Sequence, residues 1–203
     1  MAVRFVALDL GNVLCDLDVP AYPRALAALT RQSEAAVEEA TFHDALWEKL
    51  EDGRILPEEF RGRVLARLGG HHVPHPEFDR CWNLIPTARA GADALVSRLR
   101  VPHAIWSNTD PIHTASLKGQ LRAIGTAVHQ HFSFLARARK PSEAYYRAGL
   151  AALGARPDEV LFIDDREDNR RAAAALGILV EGAWTLSDVE RALHQHALLR
   201  EAA

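Results

Sequence analysis

The chain begins with an apolar run, VRFVALDL (residues 3–10), that contains Asp9 and gives way to a glycine–asparagine pair. A run rich in Val, Leu and Phe with almost no polar face suits a central strand of a parallel sheet, covered by helices on both sides. From Pro20 to about Leu68 apolar residues recur at three- and four-residue spacing, in PAYPRALAALTRQ, SEAAVEEATFHDALWEKLEDG and PEEFRGRVLARLGG. This pattern predicts a block of several short helices, the last with Pro57 at a first helical position. The segment GGHHVPHPEFDR (69–80) reads as a loop from its Gly, Pro and His content.

Further on, the pattern predicts a helix over ARAGADALVSRLR (88–100), a strand over PHAIWSN (102–108) and a weaker strand over AVHQHFSFL (127–135). A helix from Ser142 (SEAYYRAGLAALG), a strand EVLFID (159–164), a helix DNRRAAAALG (168–177) and a strand ILVEG (178–182) complete the series. Strands that alternate with helices form βαβ units with right-handed crossovers. The expected fold is therefore α/β: a doubly wound, three-layer αβα parallel sheet. The helical block falls between the first and second strands and is expected as an inserted small helical domain. The boundaries so read are 1–15 and 88–203 for the core and 16–87 for the insertion.

Composition narrows the function classes. The chain has 203 residues, 48% hydrophobic and 25% charged, as expected of a soluble globular protein with its own core. A net charge of −3, with 24 Lys and Arg spread along the chain, gives no basic footprint for nucleic acid. Cys15 and Cys81 stand far apart and away from metal-finger spacing, so neither a disulfide framework nor a structural zinc site is expected. Asp9 interrupts the N-terminal run too early for a signal peptide, and no run reaches the roughly 18 apolar residues of a membrane span. A cytoplasmic location fits this pattern, with no membrane partner; no feature of the sequence fixes an oligomeric state.

In open α/β sheets, ligands collect at the carboxyl ends of the strands, where strand order reverses. Those ends, or the loops after them, offer Asp9, then Ser107, Asn108 and Thr109, then Lys140, then Asp164 and Asp165 followed by Asn169. Each has an ordinary reading, since a strand-end Asp can be a turn residue and an Asp pair or a Ser can cap a helix. Their joint placement is what marks a site.

The segments DLGNVL (9–14), WSNT (106–109), RKP (139–141) and IDDREDN (163–169) resemble, in order, the four motifs of the haloacid dehalogenase-like superfamily. Within it the chain resembles small phosphatases with a helical cap inserted after the first motif, over nearly its full length. With SNTDPIH it further resembles bacterial sugar-phosphate phosphatases, glucose-1-phosphate phosphatases included. The resemblance implies Mg²⁺-dependent hydrolysis of a small phosphorylated metabolite through an aspartyl-phosphate on Asp9. It implies Asp9, Asp164, Asp165, Asn169 and the Gly11 carbonyl at the metal, and Lys140 orienting Asp9 and binding phosphate. Ser107, Asn108 and His113 are expected around the phosphoryl group. The chemistry is coherent: a carboxylate approaches an anionic ester only if repulsion is screened, which a hard, oxygen-ligated cation does.

Gly11 departs from the pattern, because many relatives carry there an Asp that protonates the leaving group. Such assistance is worth about 10²- to 10⁴-fold. Its absence predicts a slow enzyme, a good leaving group or a substitute acid. Asp16 and Asp18 are expected to lie too far along the excursion into the cap. His113 is the better candidate, against the plainer reading of a surface histidine at a helix start. His43 and Trp47, four residues apart on a helix, could face the substrate, with Trp47 in the cap core as the alternative. His71, His72 and His75 suit a solvated loop better than a metal site, and Cys15 suits a small buried position. Two other functions stay open at this level: a metal-free 2-haloacid dehalogenase using Asp9, and a catalytically weak binding protein, for which Gly11 is the support.

Overall fold

The computed structural model describes residues 2–201. Strand β1 (Phe5–Leu8) is followed by β2 (Cys15–Leu17) and five helices: α1 (Ala21–Thr30), α2 (Glu34–Phe42), α3 (Leu46–Glu51), α4 (Pro57–Arg67) and α5 (His75–Trp82). Strand β3 (Pro86–Ala88) pairs antiparallel with β2, so the helical block leaves and rejoins the rest of the chain through one narrow ribbon. Then come α6 (Ala92–Ser97), β4 (His103–Ser107), α7 (Pro111–Gln120), α8 (Arg122–Thr126), β5 (His129–Phe132), α9 (Ser133–Ala136) and α10 (Glu143–Leu153). The chain finishes with β6 (Val160–Asp164), α11 (Glu167–Ala175), β7 (Leu179–Gly182) and α12 (Leu186–Gln195). Among the described residues, no helix is long and apolar enough to cross a membrane.

The main sheet is parallel throughout, in the order β5-β4-β1-β6-β7. The chain builds outward from β1 to β5 on one side, then returns to lay β6 and β7 on the other. The reversal places the ends of β1, β4 and β6 at the switch point. Alternation along β1 sends Val6 and Leu8 into one hydrophobic layer, with Ile105, Leu117, Ile163, Val189 and Leu193. Ala7 faces the other, with Trp106, Tyr145, Tyr146, Phe162 and Ala173. Helices thus cover both faces, and the three-layer α/β fold expected from the sequence is present. Helices α1–α5 share a separate cluster that includes Tyr22, Leu26, Phe60, Phe78 and Trp82, joined by Ile112 from α7.

Three local expectations are corrected. The segment 69–80 is not all loop: Pro74 stands extended at the start of α5, and the helix buries Phe78, Cys81 and Trp82 at helical spacing. Prolines that looked like loop formers here stand at the helix start, where a missing N–H is harmless. The single helical run over 33–53 is broken at 43–45, where Asp44 and Ala45 take positive φ. Finally, the helix over 88–100 shortens to 92–97, because 86–88 pairs with β2.

Packing is tight where β4 meets α10. A Cβ added at Gly149 would lie 2.8 Å from the Trp106 ring, one residue before Ser107. Gly149→Ala should therefore lower stability by about 1–3 kcal/mol, although alanine is the better helix former. Urea denaturation checks this; an unchanged or higher midpoint contradicts it.

Candidate active site

The site is assembled from strand ends. The Asp9 backbone, just after β1, donates to the Ile163 carbonyl on β6 at 3.0 Å, and its carboxylate Oδ1 accepts the Leu10 N–H at 2.8 Å. The chain then turns through Gly11 and Asn12, the latter at φ 54°, a left-handed conformation that Asn tolerates better than most residues. Arg89 holds this turn by donating to the Asn12 carbonyl at 2.7 Å, and it also pairs with the exposed Asp16.

Lys140 is the centre of the arrangement. Its buried Nζ lies 3.0 Å from Asp9 Oδ1, 2.5 Å from Asp164 Oδ2 and 3.0 Å from the Trp106 carbonyl oxygen. Three acceptors match the three protons of an ammonium. Burial works against its charge, but the two carboxylates overcome this and push Lys140 above its ordinary pKa. Asp164 is further fixed by the Arg166 N–H at 2.9 Å and by Asn169 Nδ2, 3.0 and 3.1 Å from its two oxygens. Asp165 Oδ2 accepts from Asn12 Nδ2 at 2.9 Å.

Carboxylate oxygens of Asp9, Asp164 and Asp165 lie within 4.8 Å of one another. Three acids against one lysine leave excess negative charge in a partly desolvated place. Burial pushes Asp9 up to about 7, with Lys140 opposing and Asp164 adding to the rise; the Ser107 hydroxyl also hydrogen-bonds this carboxyl and favours its charge. A proton on Asp9 would relieve this excess. A hard divalent cation would relieve it in the same way, and an all-oxygen donor set fits such an ion. Among the described residues no other group of three His, Cys, Asp or Glu is so close. His71, His72 and His75 are exposed, as a solvated segment would be.

The remaining expected residues divide. Ser107 is buried beside Asp9. The Asn108 side chain is committed elsewhere: it accepts the Lys140 N–H and donates to the Lys140 carbonyl, both at 2.9 Å. His113 is not a surface residue. Its ring stacks on Trp82 with centroids 4.9 Å apart, Nδ1 lies 2.9 Å from Asp110, and Nε2 lies 3.0 Å from the Trp82 carbonyl. Burial works against the imidazolium, but Asp110 overrides it and raises the pKa of His113. With both ring nitrogens partnered, His113 holds its protons in fixed bonds. Asp18 is exposed, Cys15 is buried, and His43 is exposed with Glu39 and Asp44 as partners. Trp47 is half-buried at the wall of the cleft.

Several residues in this frame went unread in the sequence. Arg170 donates from Nη1 to the Asp164 and Asp165 carbonyls at 2.8 and 2.7 Å, fixing the turn that presents both acids. Arg139 crosses to the helical block, pairing with Glu51 at 3.0 Å and lying over the Trp47 ring. Burial pushes Glu51 up to about 7 against the pull of Arg139. Asp110 caps α7 and accepts from the Trp82 indole at 3.0 Å. The RKP motif drew attention to Lys140 alone; an arginine immediately before it was the available signal for Arg139.

A Rossmann-like α/β core with a lysine-bridged acidic cluster at the switch point of its sheet is the class that fold and site define. The family model of haloacid dehalogenase-like hydrolases matches residues 3–177, and the chain belongs to that family. Among solved structures, it is similar to a haloacid dehalogenase-like (HAD) family enzyme from Bacteroides thetaiotaomicron in complex with magnesium and inorganic phosphate. Identity is 25% and the TM-score 0.80, over 89% of this chain and 94% of that one. A predicted HAD-like family hydrolase from Porphyromonas gingivalis is 24% identical with a TM-score of 0.83 over the whole of both chains. The L-2-haloacid dehalogenase of Xanthobacter autotrophicus, with chloropropionic acid covalently bound, is 18% identical with a TM-score of 0.62 over 98% of this chain and 85% of that one. These last two establish shared fold.

Proposed function

We propose that the protein is a Mg²⁺-dependent hydrolase of small phosphomonoesters. The observation that carries this reading is the excess of carboxylate at the switch point, where Asp165 joins Asp9 and Asp164 around a single lysine. A haloacid substrate is itself a carboxylate and would be repelled by that charge, whereas a phosphate arriving with a divalent cation is accommodated. The similar Bacteroides enzyme, solved with magnesium and phosphate, supports the same choice. In this reading Asp9, Asp165 and the Gly11 carbonyl hold the ion, with Asp164 and Asn169 behind them. The bound ion supplies charge neutralisation at the phosphoryl oxygens.

Asp9 attacks phosphorus through a carboxylate oxygen, the P–O bond to the alcohol breaks, and the alcohol oxygen departs with the bonding pair and takes up a proton from water, residue 11 offering no acid. Water then attacks the aspartyl-phosphate, releasing inorganic phosphate and restoring Asp9. Lys140 keeps the Asp9 carboxylate aimed and its charge available, and Ser107 donates to a phosphoryl oxygen. Residues 16–87 act as the cap that covers the leaving group, and Arg139 with Glu51 ties it to the core.

The test is phosphate release from a panel of phosphomonoesters with Mg²⁺ and with EDTA. Release that disappears on chelation is expected; chloride release from a 2-haloacid, unchanged by EDTA, would replace this reading with the dehalogenase. A pH dependence follows. Because Asp9 in the metal-free protein holds its proton up to about pH 7, Mg²⁺ must displace it at lower pH. Calorimetric Mg²⁺ affinity should fall about tenfold per pH unit below 7 and level off above it; a flat profile from pH 5 to 8 contradicts this.

A further inference from the structure

Beside the acidic cluster lies a second chamber of about 440 Å³, between the sheet and the helical block. Six residues, Gly11, Leu17, Trp47, Glu51, Ser107 and Asn108, wall both the chamber and the cleft that holds Asp9, Lys140 and Asp165. The two spaces adjoin along these residues, so the chamber is within reach of a group bonded to a phosphoryl on Asp9. The chamber is mainly apolar: side chains such as Leu17, Phe42, Trp82, Ile85 and Leu117 make up most of its wall, with polar groups in the minority.

Of the five polar side chains that line it, Glu51, Ser107, Asn108, Thr109 and His113, three are already engaged, and Ser107 lies at the phosphoryl site beside Asp9. His113 has partners on both nitrogens, the Asn108 amide is spent on the Lys140 backbone, and Glu51 is paired with Arg139. A polyol entering this space would lose water from several hydroxyls and find few free partners, which is an effective means of rejection. An apolar ring would lose nothing of the kind and would bury its surface against Leu and aromatic side chains. The volume is in the range of pockets that take ring-sized ligands.

Gly11 belongs to the same pattern. A Cβ at this position would lie 3.1 Å from Leu17 Cδ1, so an apolar methyl group stands beside the place from which a side chain at residue 11 would project. Apolar lining continues to the edge of the reacting group itself.

Resting on the phosphomonoester reading above, we infer that the substrate of this chain carries an apolar, ring-bearing alcohol as its leaving group, in preference to a sugar. The substrate class is then a hydrophobic phosphomonoester, with its phosphate at Asp9 and Lys140 and its ring against Leu17, Phe42 and Trp82.

The experiment compares benzyl phosphate and cyclohexylmethyl phosphate with hexose 6-phosphates, all esters of primary alcohols, using the full chain with saturating Mg²⁺. The ring esters should show a kcat/KM higher by about tenfold or more. Leu17→Gln, at a partly exposed position that tolerates a polar side chain, should narrow that ratio by raising KM for the ring esters. Hexose phosphates hydrolysed as well as or better than the ring esters would overturn the inference and leave the phosphatase reading in place. No phosphate from any ester would overturn both. A ratio unmoved by Leu17→Gln would remove the chamber as its cause.

Discussion

Asp9→Asn should abolish phosphate release and, at about pH 8 without metal, raise the melting temperature. The first effect follows from removing the nucleophile, which in enzymes that act through a covalent intermediate costs at least about 10⁴-fold in turnover. The second follows from the electrostatics of the cluster. Burial pushes the Asp9 carboxyl from 3.8 up to about 7 in the folded protein, so the native state binds this proton more tightly than the unfolded chain does. Its contribution to stability is complete below about pH 3.8 and is lost as pH rises through 7. An asparagine keeps an acceptor for the Leu10 N–H but has no charge to desolvate. The gain should reach about 5 °C above pH 7 and vanish near pH 4. Thermal melts of both proteins in EDTA across this range decide it: a lower melting temperature for the variant at pH 8 would show that the Lys140 attraction outweighs burial. Retained turnover would remove Asp9 from the proposed mechanism.

Lys140→Met has the opposite thermal effect and the largest one expected from a single substitution here. Among the described residues, the Lys140 ammonium is the one cation that contacts both Asp9 and Asp164, and the side chains of all three are at most 10% exposed. Breaking a buried ion pair from one side costs about 3–5 kcal/mol, because the remaining charges are left without compensation. In a chain of this size, that lowers the melting temperature by roughly 6–20 °C. Turnover should fall as well, since Asp9 loses the group that aims it. The double variant Asp9→Asn/Lys140→Met separates this account from simple loss of packing. If charge is the cause, the second substitution restores part of the lost stability, with a coupling of about 1–3 kcal/mol in a double-mutant cycle. Additive effects of the two changes would sink the explanation.

The parallel sheet was legible because β1, β4 and β6 are buried on both faces and read as near-continuous apolar runs. Asp9, Asp164 and Asp165 were legible for a related reason: a charged side chain at the end of such a run stands out. Lys140 and Asn169, outside the strands, were read through the resemblance of RKP and IDDREDN, and side chains such as Arg139 and Arg170, acting from a loop and a helix, were not read. Arg170 sits in an ordinary-looking charged helix start, and only the fold brings its guanidinium under the Asp164 and Asp165 carbonyls. The β2–β3 ribbon was missed because three-residue strands carry too few positions for a period to register, and their pairing is long-range. Trp82 and His113 are 31 residues apart, so nothing local announced their stacking, nor the apolar chamber that Trp82 helps to wall.

The three acceptors of Lys140 come from three different strand segments: the residue following β1, a carbonyl within β4 and the last residue of β6. The ammonium therefore acts as a gauge of strand spacing. Separation of any one of these strands from its neighbours removes one of the three bonds that hold this buried ammonium. A chain with two of the three strands paired has no partial version of the site, because the lysine then lacks the surroundings that keep it charged and in place. Competence for chemistry thus depends on β1, β4 and β6 being paired together, not on any one of them alone.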